Sequence, residues 1–403
     1  MIEPKLRFKA DDGSQFPDWE EKKLGDITEK VVRKNENSNA DVRMISQGNG
    51  FILQSDKYSR ENAGQSLKKY TLLKRDEFAY NHGASKVKPY GVCYRLCESD
   101  EARVPYVYHT FRLVDDDSDF WNYSLNTSYM DRQLKKKVSS GARMDGLLNI
   151  SYDAYMSVNI HVPSLPEQQK IAEFLSTIDT VIEKQKETVS AWEERKKGVM
   201  QKLFSQEVRF KTDDGSDFPE WEEKKIDDLF YKVNERNNGQ FGKDKWISVA
   251  KMYYQDEDKV TSNNIDTRTY VMRVGDMSFE GHPNKEFKYG RFVVNDIGDG
   301  IISELFPIYR HKENYILKYW KYAIQVDSIM QKIYRKSITS SGASSNKLDD
   351  DDFKRQSILV PCLAEQQKIA DCLSSLDEVI EKQKSTLAAW EEMKKGLLQQ
   401  MFV

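Results

Sequence analysis

From Ile171 onward the apolar positions advance in steps of four and three, through Leu175, Ile178, Ile182, Gln185, Val189, Trp192, Lys196, Val199 and Leu203. The same register returns at Ile369, Leu373, Leu376, Ile380, Gln383, Leu387, Trp390, Lys394, Leu397 and Met401. A mean step of 3.5 residues held for about five heptads predicts a coiled-coil seam on each of two long helices. Gln185, Gln383, Lys196 and Lys394 fall on seam positions, where a polar layer gives up stability to fix register and partner. Both helices belong to one chain, so the simplest expectation is that they pair with each other. A homodimer, or seams shared with another subunit, is the alternative. Ser164 and Glu167 offer a capping box for the first helix, with Pro166 tolerated in its first turn; Cys362 stands where the second would have its serine. Gly198 and Gly396 each cost about 1 kcal/mol relative to alanine, so the last turns are expected to bend or fray. At 1.5 Å per residue about 38 residues make a rod of about 57 Å, the length of roughly 17 base pairs.

Ahead of each rod the period changes. Short alternating runs rich in β-branched and aromatic residues occupy 42–46, 70–80 and 104–114, and again 245–254, 270–280, 290–296 and 301–310. These predict strands of a mixed α+β domain. Helical periodicity resumes near 118–138 and 314–336, followed by serine- and glycine-rich stretches at 139–146 and 339–348.

The chain is written twice. Residues 7–27 return at 209–229, and 165–204 return at 363–402 with about two thirds of positions identical. The segments between have drifted apart. The pattern divides the chain into a first globular domain at 1–163, a long helix at 164–206, a second globular domain at 207–361 and a closing helix at 362–403. Glu183, Lys184, Lys186, Glu193, Glu194 and Lys197 recur at Glu381, Lys382, Lys384, Glu391, Glu392 and Lys395. That sameness exceeds what a solvated surface needs, and predicts two equivalent docking surfaces for two copies of a partner.

The net charge of −3 argues against a uniformly basic nucleic-acid binder, but positive charge is local. Arg132, Lys135, Lys136, Lys137 and Arg143 cluster in the first half; Lys318, Lys321, Lys332, Arg335, Lys336 and Lys347 cluster in the second. A solvated helix face is the competing reading of either run. No apolar run reaches membrane-spanning length, and the N-terminus lacks the basic and apolar regions of an export signal. Cys93, Cys97, Cys362 and Cys372 fit no zinc spacing and read as reduced thiols. There is no N-P-P-[YFW] tetrad, no glycine-rich turn for S-adenosylmethionine and no P-loop. His82, His109, His161, His282 and His311 form no spaced metal set. Catalysis is therefore expected to belong to partners.

The tandem plan, the leads around Trp19 and Trp221, the serine–glycine loops and the helix starts Val162–Leu175 and Val360–Leu373, each built on P/A-E-Q-Q-K-I-A, together resemble the specificity subunit of type I DNA restriction-modification enzymes. The resemblance spans the whole chain; Cys362 and Ala364 depart from its usual second helix start. It implies an α+β fold with two similar target recognition domains in pseudo-twofold tandem repeat, joined by two long helices in an antiparallel coiled coil. It further implies that each domain reads one half of a split, asymmetric double-stranded DNA sequence, and that the helices set the spacer. The resemblance also implies that two modification (methyltransferase) subunits dock on the repeated helices and that restriction/translocase subunits join them. S-adenosylmethionine, ATP and Mg would then sit on those partner subunits and no cofactor in this chain, in a prokaryotic cytoplasm and away from membranes.

Base readout needs Arg or Lys for guanine and Asn or Gln for adenine, with Lys, Ser and Thr on phosphates. Polar groups on loops after the predicted strands give the candidates. They are Asn81, His82, Ser85, Lys86, Lys88 and Arg143 in the first half, and His282, Asn284, Lys285, Arg335, Ser341, Asn346 and Lys347 in the second. A coiled-coil scaffold with two protein-binding heads competes with this reading, and a self-sufficient enzyme is a third.

Overall fold

Both seams become helices that run without a break, over Leu165–Phe204 and Leu363–Met401, and straight through Gly198 and Gly396. The computed structural model describes all residues except 1–3, 36–37, 58–63, 84, 86–87, 139–147, 284–286, 341–344 and 403. It contains two compact units, one formed by Met1–Lys186 with Ser385–Val403, the other by Glu187–Lys384.

In the first unit the order is β1 (Glu20–Lys23), β2 (Thr28–Lys30), β3 (Arg43–Ser46), β4 (Gly50–Leu53), α1 (Gln54–Lys57), β5 (Thr71–Lys74), β6 (Phe78–Asn81), β7 (Val92–Arg95), β8 (Glu101–Val104) and β9 (His109–Leu113). Then come α2 (Ser118–Ser124), α3 (Ser128–Lys135), α4 (Tyr152–Met156), β10 (Asn159–Val162) and the long α5 (Leu165–Phe204), whose second half belongs to the other unit. The second unit repeats the plan. It has β11 (Glu222–Lys225), α6 (Ile226–Leu229), β12 (Phe230–Val233), β13 (Ile247–Ser248), β14 (Tyr253–Tyr254), β15 (Thr269–Met272), β16 (Met277–Glu280), β17 (Arg291–Val294), β18 (Gly300–Ser303) and β19 (Ile308–His311). After these come α7 (Leu317–Ala323), α8 (Asp327–Ser337), β20 (Ile338–Ser340), β21 (Asn346–Leu348), α9 (Asp350–Lys354), β22 (Ser357–Val360) and the long α10 (Leu363–Met401).

The repeat survives where the sequence has drifted. An antiparallel sheet β2-β9-β6-β7 has its twin in β12-β19-β16-β17, and the pairs β5-β8 and β15-β18 match likewise. The lead strand closes each unit in one register: Glu20 lies opposite Val162, and Glu222 opposite Val360. Both apolar residues are buried, and the strand they end feeds directly into a long helix.

Each core rests on the start of one long helix and the end of the other. In the first unit Phe78, Phe111, Trp121 and Tyr155 share a core with Ile171, Leu175, Met401 and Phe402. In the second, Phe292, Tyr309, Trp320 and Phe353 share one with Leu203, Phe204, Ile369 and Leu373. Burying each such side chain is worth about 1.5–3 kcal/mol, so the globular part holds the helix ends in place. Asp179, further along α5, pairs with Lys394, which is earlier on α10 than Met401. The two strands of the coil are therefore antiparallel within this unit. Lys196 paired with Asp377, beside the shared core of Phe204 and Ile369, gives the same direction within the other.

Seam positions that also face a globular core, Ile171, Leu175, Ile369 and Leu373, are buried, as are Ile178, Ile182, Val189 and Ile380. Gln185, Trp192, Leu376, Gln383, Leu387 and Trp390 are half-buried. Besides the last turns, which stay helical, several sequence expectations are corrected: the runs 70–80, 270–280 and 301–310 hold β5 with β6, β15 with β16 and β18 with β19. The helical stretches 118–138 and 314–336 are each two helices, the first broken where the Thr127 side chain accepts from Met130 N at 3.5 Å and starts α3. The capping box does not form: among the described residues the buried Ser164 hydroxyl has no partner, and Glu167 is turned elsewhere.

Candidate nucleic-acid interface

Glu167 is fully buried in the first turn of α5, and a buried carboxylate needs a cation and donors to offset desolvation. The lead supplies them. Arg7 donates through Nε and Nη2 at 3.0 and 2.8 Å, and Trp19 Nε1 donates at 3.1 Å. In the second unit Arg209 donates to Glu365 at 3.1 and 2.9 Å, with Trp221 Nε1 at 3.0 Å. The next residue, Gln168, donates to Pro163 O and accepts from Asp117 N at 2.9 Å, locking the helix start to the entry of α2. Gln366 repeats this with Pro361 O and Ile316 N. Lys170 reaches Asp11 and Lys368 reaches Asp213, both at 2.6 Å. The E-Q-Q-K motif is thus the socket into which the repeated lead folds. Sequence reasoning saw both motifs without seeing that they bind each other.

A second repeated device ties the helices to the globular part. Tyr123 of α2 donates to Asp179 at 2.7 Å, Lys394 pairs with the same carboxylate, and its ammonium lies 5.2 Å from the Tyr123 ring centre. Tyr322 donates to Asp377 at 2.6 Å, Lys196 joins it at 2.6 Å and lies 5.0 Å from the Tyr322 ring. Burial and the adjacent carboxylates push both phenols well above their ordinary value, so the tyrosines stay donors.

On this frame each unit presents a loop after its central strand. In the first, that loop follows β6. Asn81 accepts from Gly83 N at 3.0 Å. His82 is 3 % exposed, and its two ring nitrogens lie 2.7 Å from Leu148 O and 2.9 Å from Val107 O. The structure thus gives it a bracing position, stacked on His109 with ring centres 5.0 Å apart, rather than an exposed edge. Burial pushes the His109 imidazole below its ordinary value. Ser85 is exposed, with its hydroxyl on Gln47 at 2.5 Å. Lys88 is turned inward, onto Asn126 O at 2.7 Å and Asp131 at 3.6 Å, which ties the loop to the start of α3. The loop ends at Gly91, where φ is +83° and an added Cβ would meet Asn81 O at 2.5 Å.

The second loop follows β16. His282 is exposed, and its Nδ1 lies 2.6 Å from buried Glu280. Asn346 N donates to Gly281 O at 2.8 Å, and the Asn346 side chain donates to Lys288 O at 3.3 Å. Lys347 is exposed on β21, opposite Thr339. The structure therefore brings His282, Asn346 and Lys347 to one edge, just as Leu148 N donating to His82 O at 2.9 Å joins the corresponding segments of the first unit. Arg335 is exposed on α8. Lys86, Arg143, Asn284, Lys285 and Ser341 lie outside the described residues. Among the described residues no group of three or more His, Cys, Asp or Glu could hold a metal, and no helix is long and apolar enough to cross a membrane.

Two units thus share one repeated frame, each with a polar loop after its central strand. The type I restriction modification DNA specificity domain family matches residues 106–190 and 219–388, more than half of the chain, and the chain belongs to that family. The type I restriction enzyme MjaVIII specificity subunit of Methanocaldococcus jannaschii is 24% identical over 313 residues, covering 71% of this chain and 69% of its own. The crystal structure of the type I restriction-modification S subunit from M. genitalium superposes with a TM-score of 0.51 at 14% identity, covering 100% of this chain and 99% of that one. A chain from a type I R-M system, solved to explain complex assembly and conformational transition, gives 0.57 at 13% identity over 96% and 98%. These likenesses support the tandem α+β fold with its two long helices.

Proposed function

We propose that this specificity subunit reads a bipartite, asymmetric double-stranded DNA sequence, one half per globular domain, divided as 1–163 and 207–361, with the helices 164–206 and 362–403 setting the unspecified spacer. The carrying observation is that the clamp Arg–Glu–Trp and the triangle Tyr–Asp–Lys occur once per unit with the same geometry, while the loops they support differ. A constant frame with unlike loops is what two different readings on one plan require. The loop and hairpin residues Asn81, Ser85, His282, Asn346 and Lys347 are the described groups best placed for it. The repeated outer faces of α5 and α10 supply two like docking surfaces, which fits two modification subunits, with restriction/translocase subunits completing the complex. The chain itself acts without catalysis; S-adenosylmethionine, ATP and Mg work on those partners.

Co-expression with its modification subunits in a host lacking DNA methylation tests this. Methylation mapping should return one split motif with two unlike halves. A scaffold would leave the assembled complex without any sequence preference.

A further inference from the structure

Helices α3 and α8 lie in the drifted part of the repeat, yet one pattern recurs. Met130 and Met330 are buried, and at the second, fifth and sixth positions beyond each stand cations: Arg132, Lys135 and Lys136 in the first unit, Lys332, Arg335 and Lys336 in the second. At 100° per residue those three positions centre opposite the ridge formed by Met130 and Leu134, or by Met330 and Tyr334. All six side chains are exposed, and none is in an ion pair among the described residues. The acids on the same two helices are engaged elsewhere: Asp131 faces Lys88, and Asp327 accepts from Gln331 at 2.7 Å. Arg132 lies over the Tyr129 ring at 5.8 Å.

Like charges three and four residues apart destabilise a helix by a few tenths of a kcal/mol per pair. The helix dipole offsets this for the cations of the last turn, Arg132 with Lys135 and Arg335 with Lys336, but not for Lys332. In a chain of net charge −3, where most arginines of the second unit are paired, two unpaired ridges of the same spacing call for an external anion. We infer that each ridge is a phosphate clamp, which grips the backbone of its half-site without reading bases. This rests on the DNA-reading function above and assigns its sequence-independent part to α3 and α8.

The test uses the full chain assembled with its modification subunits. Arg132, Lys135 and Lys136 are changed together to Gln, and separately Lys332, Arg335 and Lys336. Each triple variant should weaken binding to cognate and unrelated duplex alike, by on the order of tenfold or more near physiological salt. The slope of log affinity against log salt should become shallower by about 2–3, given about 0.9 per phosphate lost, and the methylated motif should stay unchanged. A companion set that exchanges Lys and Arg at these positions should restore the slope. Wild-type slope and affinity in the Gln triples would overturn the clamp, as would a lowered melting temperature with unchanged binding, which marks a dipole role only. A changed motif would overturn it too, by making the ridge a base reader. If wild-type complex prefers no duplex, the DNA-reading function itself fails.

Discussion

Lys196 of α5 lies 2.6 Å from Asp377 of α10, and the same carboxylate accepts from Tyr322 at 2.6 Å. One side chain thus joins both long helices and the globular domain, and the twin set Lys394, Asp179 and Tyr123 does so in the first unit. Coil register and domain placement are set by the same few atoms. Asp377→Ala should lower stability by about 1–2 kcal/mol, the lower part of the range for charged hydrogen bonds because the carboxylate is partly exposed and screened. Denaturant unfolding of Asp377→Ala, Lys196→Met and the double variant measures the coupling. Additive effects would show that the pair does not hold the helices.

Glu167 and Glu365 are each fully buried on an arginine and a tryptophan. Removing the carboxylate leaves the arginine and the tryptophan N–H without their shared acceptor, and with it the tie between lead and helix. Glu365→Ala should therefore loosen the lead at 209–221, read as faster proteolysis there and as altered Trp221 fluorescence, while Glu167→Ala does the same near Trp19. An unchanged cleavage pattern would remove the socket role.

Gly91 and Gly290 end the two candidate loops with φ of +83° and +85°, and an added Cβ would meet Asn81 O at 2.5 Å or Glu280 O at 2.4 Å. Backbone cannot yield as a side chain can. Gly91→Ala should abolish reading of one half-site and spare the other, Gly290→Ala the reverse, measured as methylation of half-site variants. Equal loss of both halves in either variant would contradict independent loops.

His311 is packed on Tyr315 with ring centres 3.8 Å apart and against Phe230, and burial pushes its imidazole down to about 3. The folded unit holds the neutral ring, whereas the unfolded chain takes up a proton below about 6.5. Its contribution is thus present above that pH and lost as pH falls toward 3, at about 1.4 kcal/mol per unit. Between pH 7.5 and 5.5 the wild type should lose roughly 1 kcal/mol more stability than His311→Phe. Parallel losses would refute the assignment.

The seam was legible because its period repeats over forty residues, whereas the alternating runs 70–80, 270–280 and 301–310 each hold two strands, because a short turn inside a run leaves its apolar alternation almost undisturbed. The clamp was not, since Arg7 and Glu167 lie far apart in sequence and nothing local marks a glutamate in a helix's first turn as buried rather than capping. His82 illustrates the limit for site residues. A polar side chain at a strand end looks available until Val107 and Leu148 are seen to bring their carbonyls to its ring. Asn346 and Lys347 could be picked out as polar groups flanking a glycine-rich stretch, but only the hairpin β20-β21 puts them beside Gly281.

The most direct test is exchange of residues 30–160 for the corresponding insert of another family member, followed by methylation mapping of the complex. Half of the recognised sequence should change, with the other half and the spacer length retained. A motif that changes in both halves, or in neither, would contradict two independent readers on one shared frame.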